Sequence, residues 1–179
     1  MTADTATTRR PAEDGEAPLY LDDFIPYRLS VLSNQISRSV AALYAERFGL
    51  TIPEWRVMAV LGLEEAQRGQ VCANMVAERT EMDKVQVSRA VARMTQADLV
   101  SRTTDKADRR RQVLGLTAKG RKVYREIVPA ALAYEAELLG TLSAAERTAL
   151  DHLIAKLSRA ARDLGPARAA DEPEDGGQA

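Results

Sequence analysis

The sequence predicts a mainly α-helical protein with one small β-hairpin, in which a helix-turn-helix and the hairpin sit between long helices at the two ends of the chain. Three observations predict it. Apolar residues recur at steps of three and four over most of the stretch between residues 18 and 165, which is the helical period. Two short apolar runs, 99–102 and 112–116, flank the very polar segment 103–111, as the strands of a hairpin do. Thr51-Ile52-Pro53-Glu54 and Ser143-Ala144-Ala145-Glu146 are capping boxes, which mark helix starts.

Each element follows from its residues in order. Residues 1–17 and 166–179 hold Ala, Asp, Glu, Pro and Gly with almost no large apolar side chain, so they are expected to be disordered tails. Ile25, Leu29, Leu32, Ile36, Val40 and Leu43 form one stripe of a first long helix that stops before Gly49, with Pro26 tolerated in the first turn. The second helix starts at the Thr51 box, carries Trp55, Met58 and Leu61 inward and fades toward Gly69. Val71 to Glu78 is a short amphipathic helix with Cys72, Met75 and Val76 on its apolar side. After a polar break, the helix from Asp83 to Ala97 sets Val87, Ala90, Val91 and Met94 inward. The hairpin follows, and Thr117 caps a further helix in which Pro129 predicts an interruption and a kink. Leu150, Leu153, Ile154 and Leu157 are the stripe of the last helix.

The expected division is 51–116 as a helix-turn-helix and hairpin domain, with 18–50 and 117–165 as a helical region. The apolar stripes of the end helices exceed what the small central module can cover, so they are expected to meet a second copy of the chain.

The 179 residues are 45% hydrophobic and 28% charged, the composition of a folded globular protein. Cys72 is the single cysteine, which excludes an intrachain disulfide and a cysteine zinc site and suits a reducing cytoplasm. No run approaches the roughly 18 apolar residues of a membrane helix, so a membrane partner is not expected. The net charge of −1 hides an asymmetry. From Arg79 to Arg125 there are 13 Lys/Arg and 5 Asp/Glu, a segment charge of +8, which leaves −9 elsewhere. Such a block attracts a polyanion to one face.

With the apolar set of helix 83–97 turned inward, Val85, Arg89, Ala92 and Gln96 point away, flanked by Gln86, Ser88 and Arg93, with Lys84 at the helix start. No acid occurs from Lys84 to Ala97, whereas ordinary surface helices mix Glu with Lys. These side chains suit a DNA major groove: Arg bonds guanine in pairs, Gln bonds adenine, Ser reaches base or phosphate, and Val touches a thymine methyl. The tip Asp105-Lys106-Ala107-Asp108-Arg109-Arg110-Arg111 concentrates arginines that a narrow minor groove attracts, with Asp105 and Asp108 placed to hold them.

Leu50-Thr51-Ile52-Pro53-Glu54-Trp55-Arg56-Val57-Met58, the run Ala77 to Lys84 leading into Val87-Ser88-Arg89-Ala90-Val91, Asp105 to Arg110, and Leu116-Thr117-Ala118-Lys119-Gly120 together resemble the MarR family of winged helix-turn-helix regulators. The resemblance covers about residues 19–163. It implies a homodimer interlocked through the first and last helices, a recognition helix at 83–97 and a wing at 99–116. Arg110 matches the wing arginine that enters the minor groove, and Asp108 the acid that orients it. Such regulators commonly repress genes and leave DNA when a small ligand binds between the dimerisation helices and the winged domain. Here that stretch offers Arg28, Asn34, Trp55 and Met58; Arg28 can pair with an anion and Trp55 can stack on a ring. The alternative is that Trp55 is core and Arg28 joins a surface ion pair. Phe24 to Ser30 also resembles members that answer to aromatic acids or their coenzyme A thioesters.

The expected partners are double-stranded DNA carrying an inverted repeat, a second copy of the chain and a small effector. No cofactor is called for. Cys72 is read as packing rather than as a redox sensor, and His152, the single histidine, lacks a second ligand at metal spacing. No phosphate loop, nucleophile elbow or carboxylate pair points to an enzyme. A low-specificity architectural DNA-binding protein is the alternative from another class.

Overall fold

The computed structural model describes residues 18–67, 70–104 and 112–165. Its order is α1 (Ile25–Ala42), α2 (Ala45–Phe48), α3 (Ile52–Ala66), α4 (Ala73–Thr80), α5 (Lys84–Gln96), β1 (Val100–Thr104), β2 (Gln112–Leu116), α6 (Ala118–Gly140) and α7 (Ala144–Leu164). The chain divides into two compact units, Met1–Ala131 and Leu132–Ala179.

In the first unit, Val57, Met58 and Leu61 of α3, Val76 of α4 and Val87, Ala90, Val91 and Met94 of α5 form one core, closed by Leu99, Val100, Leu114, Leu116 and Ile127. All four inward residues predicted for α5 are in it. The Thr51 box forms as read: Thr51 N–H and Oγ1–H both donate to Glu54 Oε2, at 2.7 and 2.8 Å. Asp83 caps α5 by accepting from Gln86 N–H at 2.7 Å. A carboxylate there also favours the positive end of the helix.

Several boundaries differ from the sequence reading. The first stripe is broken after Ala42, and α2 ends at Gly49 with φ 66°, a left-handed cap suited to glycine. The break places Tyr44 in the core, where its ring stacks on Trp55 at 5.4 Å. Val71 is not helical; it pairs with Leu114, whose N–H donates to Val71 O at 2.8 Å, and α4 begins two residues later. Cys72 precedes α4 at its N-cap and is half-buried. The hairpin is antiparallel with Val100 opposite Leu116 and Thr104 opposite Gln112. The first strand starts at Val100 because Leu99 N–H is already given to Met94 O. Helix α6 runs without interruption through Pro129, where a break was expected.

Burial pushes the Tyr44 phenol up to about 12, with Arg56 partly offsetting the shift. An unfolded tyrosine ionises near pH 10, so between pH 10 and 12 only the unfolded chain loses the proton. The stabilisation is therefore full below about pH 10 and disappears toward pH 12, amounting to at most about 2–3 kcal/mol. Urea unfolding of wild type and Tyr44→Phe at about pH 8 and 11.5 checks this. The wild type is expected to lose more stability than the variant over that interval, and equal losses would contradict it.

In the second unit, α7 starts with the predicted box: Ser143 N–H and Oγ–H donate to Glu146 Oε2 at 2.8 and 2.7 Å. Those hydrogen bonds hold the Glu146 carboxyl below the usual carboxylate range. None of the residues of α7 is buried. Leu150, Leu153, Ile154 and Leu157 are all exposed, as are Ile25, Leu29 and Leu32 on α1. No helix among the described residues is long and apolar enough to cross a membrane.

Candidate nucleic-acid interface

Helix α5 presents Lys84, Val85, Gln86, Ser88, Arg89, Ala92, Arg93 and Gln96 to solvent. The helical period alone places them there: once Val87, Ala90, Val91 and Met94 are in the core, the opposite side has no alternative. Val85 is 56% exposed, an apolar side chain on an otherwise polar face. Asp108, Arg109, Arg110 and Arg111 of the predicted wing tip lie outside the described residues.

Two buried carboxylates of α3 hold the helix-turn-helix. Glu54 Oε1 lies 3.1 Å from Arg93 Nε of α5, while its Oε2 serves the Thr51 cap. Glu64, near the other end of α3, pairs with Arg79 of α4. Each helix of the pair is thus tied to α3 by one guanidinium whose far side remains in water. Helical spacing alone assigns Arg93 to DNA; in the structure it has a protein partner, and its exposed edge is what remains for a polyanion. Neither ion pair of the α3 glutamates is visible in the sequence, because helical spacing reports which way a side chain points and not which distant residue it meets. Arg89, one turn before Arg93, has no ion pair among the described residues. Thr51, Pro53, Glu54, Gln86, Arg89 and Arg93 border a cleft of about 320 Å³ that sets the start of α3 beside the outer face of α5.

The four residues expected at a ligand differ in burial. Met58 is in the core, and Arg28 and Asn34 lie exposed on α1. Trp55 lines a cavity of about 150 Å³ with Ile36, Ser37, Val40, Tyr44, Ile52 and Arg56. Its ring also stacks on Tyr124 at 6.3 Å, which completes a chain of rings Tyr44–Trp55–Tyr124. Sequence reasoning misses Tyr44 and Arg56; the Tyr44 spacing fits the first stripe poorly, and only the break after Ala42 turns it inward. Among the described residues no three His, Cys, Asp or Glu side chains converge as metal ligands.

Residues 48–111 match the family model described as MarR family. The chain is 33% identical over 112 residues to the transcriptional regulator HosA of Escherichia coli O127:H6, an alignment covering 60% of this chain and 77% of HosA. It is 31% identical over 116 residues to the transcriptional repressor MdtR of Bacillus subtilis, covering 65% of this chain and 72% of MdtR. Among solved structures it is similar to BpsR of Bordetella bronchiseptica, whose DNA binding is regulated by 6-hydroxynicotinic acid, with a TM-score of 0.67, 25% identity and coverage of 79% of this chain and 98% of BpsR. The helix-turn-helix, the two-stranded hairpin and these likenesses agree, and the chain belongs to the MarR family of transcriptional regulators.

Proposed function

We propose that the protein is a cytoplasmic, homodimeric, sequence-specific repressor that binds an inverted-repeat operator and leaves it when a small aromatic acid or a thioester of one binds. The observation that carries this is the outer face of α5: acid-free from Lys84 to Ala97, rigidly backed by α3, and set within a segment of charge +8. Lys84, Val85, Gln86, Ser88 and Arg89 are the groove-reading residues, with Arg93 at their edge. Asp108, Arg109, Arg110 and Arg111 are the wing contacts. Residues 18–50 and 117–165 supply the dimer contacts, which the exposed apolar residues of α1 and α7 support. Repression is supported by the likeness to MdtR and ligand response by that to BpsR.

The cavity beside Trp55 is the site favoured for the effector. Its size suits one ring better than a coenzyme A group. Trp55 packs against the ring and Arg56 meets the carboxylate, while Arg28, Asn34 and Met58 contribute only if the occupied state rearranges α1. Ligand releases DNA only through unequal affinity for two conformations of the protein.

Base reading and charge are separable by a salt titration on an operator-like duplex selected by the protein from random DNA, and on its scrambled counterpart. Arg89→Ala is expected to cost about 1–3 kcal/mol on the selected duplex and little on the scrambled one. Arg110→Ala is expected to weaken both and to flatten the salt dependence by about one unit of slope for every phosphate that each subunit no longer neutralises. Equal losses on both duplexes for Arg89→Ala would contradict base reading by that residue.

A further inference from the structure

The Leu116–Gly120 motif has no task in the DNA-facing reading, yet it gathers around the end of α5. Three successive carbonyls close that helix. Ala97 O accepts from Lys119 Nζ at 2.8 Å, Asp98 O from Thr117 Oγ1 at 2.6 Å, and Leu99 O from Thr117 N–H at 3.1 Å. Thr117 Oγ1 in turn accepts from Gly120 N–H at 3.0 Å, so the hydroxyl joins the end of one helix to the start of the next. Gly120 lies so close that a Cβ there would fall 2.0 Å from Leu99 O.

The closure of α5 is itself specific. Asp98 N–H donates to Thr95 O and Leu99 N–H to Met94 O, the two bonds of a Schellman end, with Asp98 at φ 56°. A residue with a β-carbon is disfavoured in that left-handed conformation and persists when its surroundings hold it. The lysine ammonium also sits where helix carbonyls carry partial negative charge. Arg121 Nη1 extends the brace by donating to Leu116 O at 2.7 Å and Glu65 Oε1 at 3.0 Å, so the first turn of α6 grips α5, β2 and α3 together.

We infer that Thr117 and Lys119 are positioning residues for DNA recognition: without touching DNA, they fix the direction of α5 and so set how well one sequence is discriminated from another. The inference rests on the reading of α5 as the recognition helix. Its physical basis is the difference in tolerance between contacts. A paired hydrogen bond to a base edge is broken by a small tilt of the helix, whereas attraction to phosphates survives it.

The test uses full-length Thr117→Val, Thr117→Ser and Lys119→Met proteins, with the duplex selected by wild type and its scrambled counterpart, titrated between about 50 and 200 mM salt. Thr117→Val and Lys119→Met are expected to lose roughly tenfold of the selected-to-scrambled affinity ratio, all of it from the selected duplex, within the range of one misplaced base contact. Their salt slopes stay at the wild-type value, and Thr117→Ser, which keeps the hydroxyl, keeps the ratio. Lys119 is exposed, so its variant carries the test if Thr117→Val fails to fold. An unchanged ratio in folded Lys119→Met, equal losses on both duplexes, or a fall in its salt slope by about one per subunit would overturn the inference, the last by making Lys119 a phosphate contact. A wild type that selects no sequence overturns the regulator reading as well; a selective wild type with unaffected variants overturns this inference alone.

Discussion

Gly120→Ala is expected to destabilise the protein by about 3 kcal/mol and to lower its melting temperature by about 6–12 °C. The sign is opposite to that of a glycine-to-alanine change in an ordinary helix interior, which gains up to about 1 kcal/mol from helix propensity. Here the added methyl would meet Leu99 O at 2.0 Å, with Leu99 C at 3.0 Å and Cα at 3.3 Å. These are backbone atoms held by the Thr117 bond, so no flexible side chain can turn aside. Relief requires α6 to back away from the end of α5, which breaks the closure of that helix. Gly140→Ala in the same helix is the control: nothing lies within 4 Å of its added Cβ, so it should be neutral or slightly stabilising. Thermal unfolding of the two variants beside wild type checks both signs, and equal melting temperatures would contradict the close approach.

Leu153→Asp combined with Ile154→Asp is expected to give a folded monomer whose affinity for the inverted repeat is weaker by at least about 10³-fold, the usual margin between specific and non-specific binding. In one protomer these side chains are 53% and 52% exposed, so two aspartates there cost its own fold little. Across a dimer contact the same change replaces two apolar burials, each worth about 1.5–3 kcal/mol, with two carboxylates stripped of water. A monomer holds one recognition helix and one half-site, which removes the symmetric match to DNA. Sedimentation equilibrium and operator titration read the two effects. A variant that stays dimeric and binds like wild type would place the dimer contact elsewhere.

Helix α5 is legible in the sequence because its signals agree, a 3–4 apolar period and an acid-free outer face, and in the structure Asp83 caps it. The capping boxes at Thr51 and Ser143 are equally local, and both form. What fails is set by distant partners. Val71 looks helical beside Cys72 and Met75, but its backbone is claimed by Leu114 from the hairpin. Pro129 signals a break, yet α6 continues past it. Arg93 points outward as expected, but its ion pair with Glu54 depends on a tertiary contact that periodicity does not encode. Of the residues expected at a ligand, Met58 belongs to the core and Arg28 to an exposed turn of α1, while Tyr44 joins Trp55 and its neighbour Arg56 through the bend after Ala42. The Thr117–Gly120 turn stands out as a motif, though only the structure gives its hydrogen bonds a direction, back toward α5.

Under the proposed function the chain reads DNA sequence as a symmetric dimer. The most direct test of that reading is one measurement on the wild type: the equilibrium affinity, at fixed salt, for the duplex it selects from random DNA and for a scrambled duplex of the same length and composition. The selected duplex is expected to be an inverted repeat with half-site centres about 10 base pairs apart and to bind at least about 10³-fold more tightly than the scrambled one, with one dimer per duplex. Selection of no consensus, with equal affinities for the two duplexes, would contradict that reading and identify an architectural protein that holds DNA by charge alone.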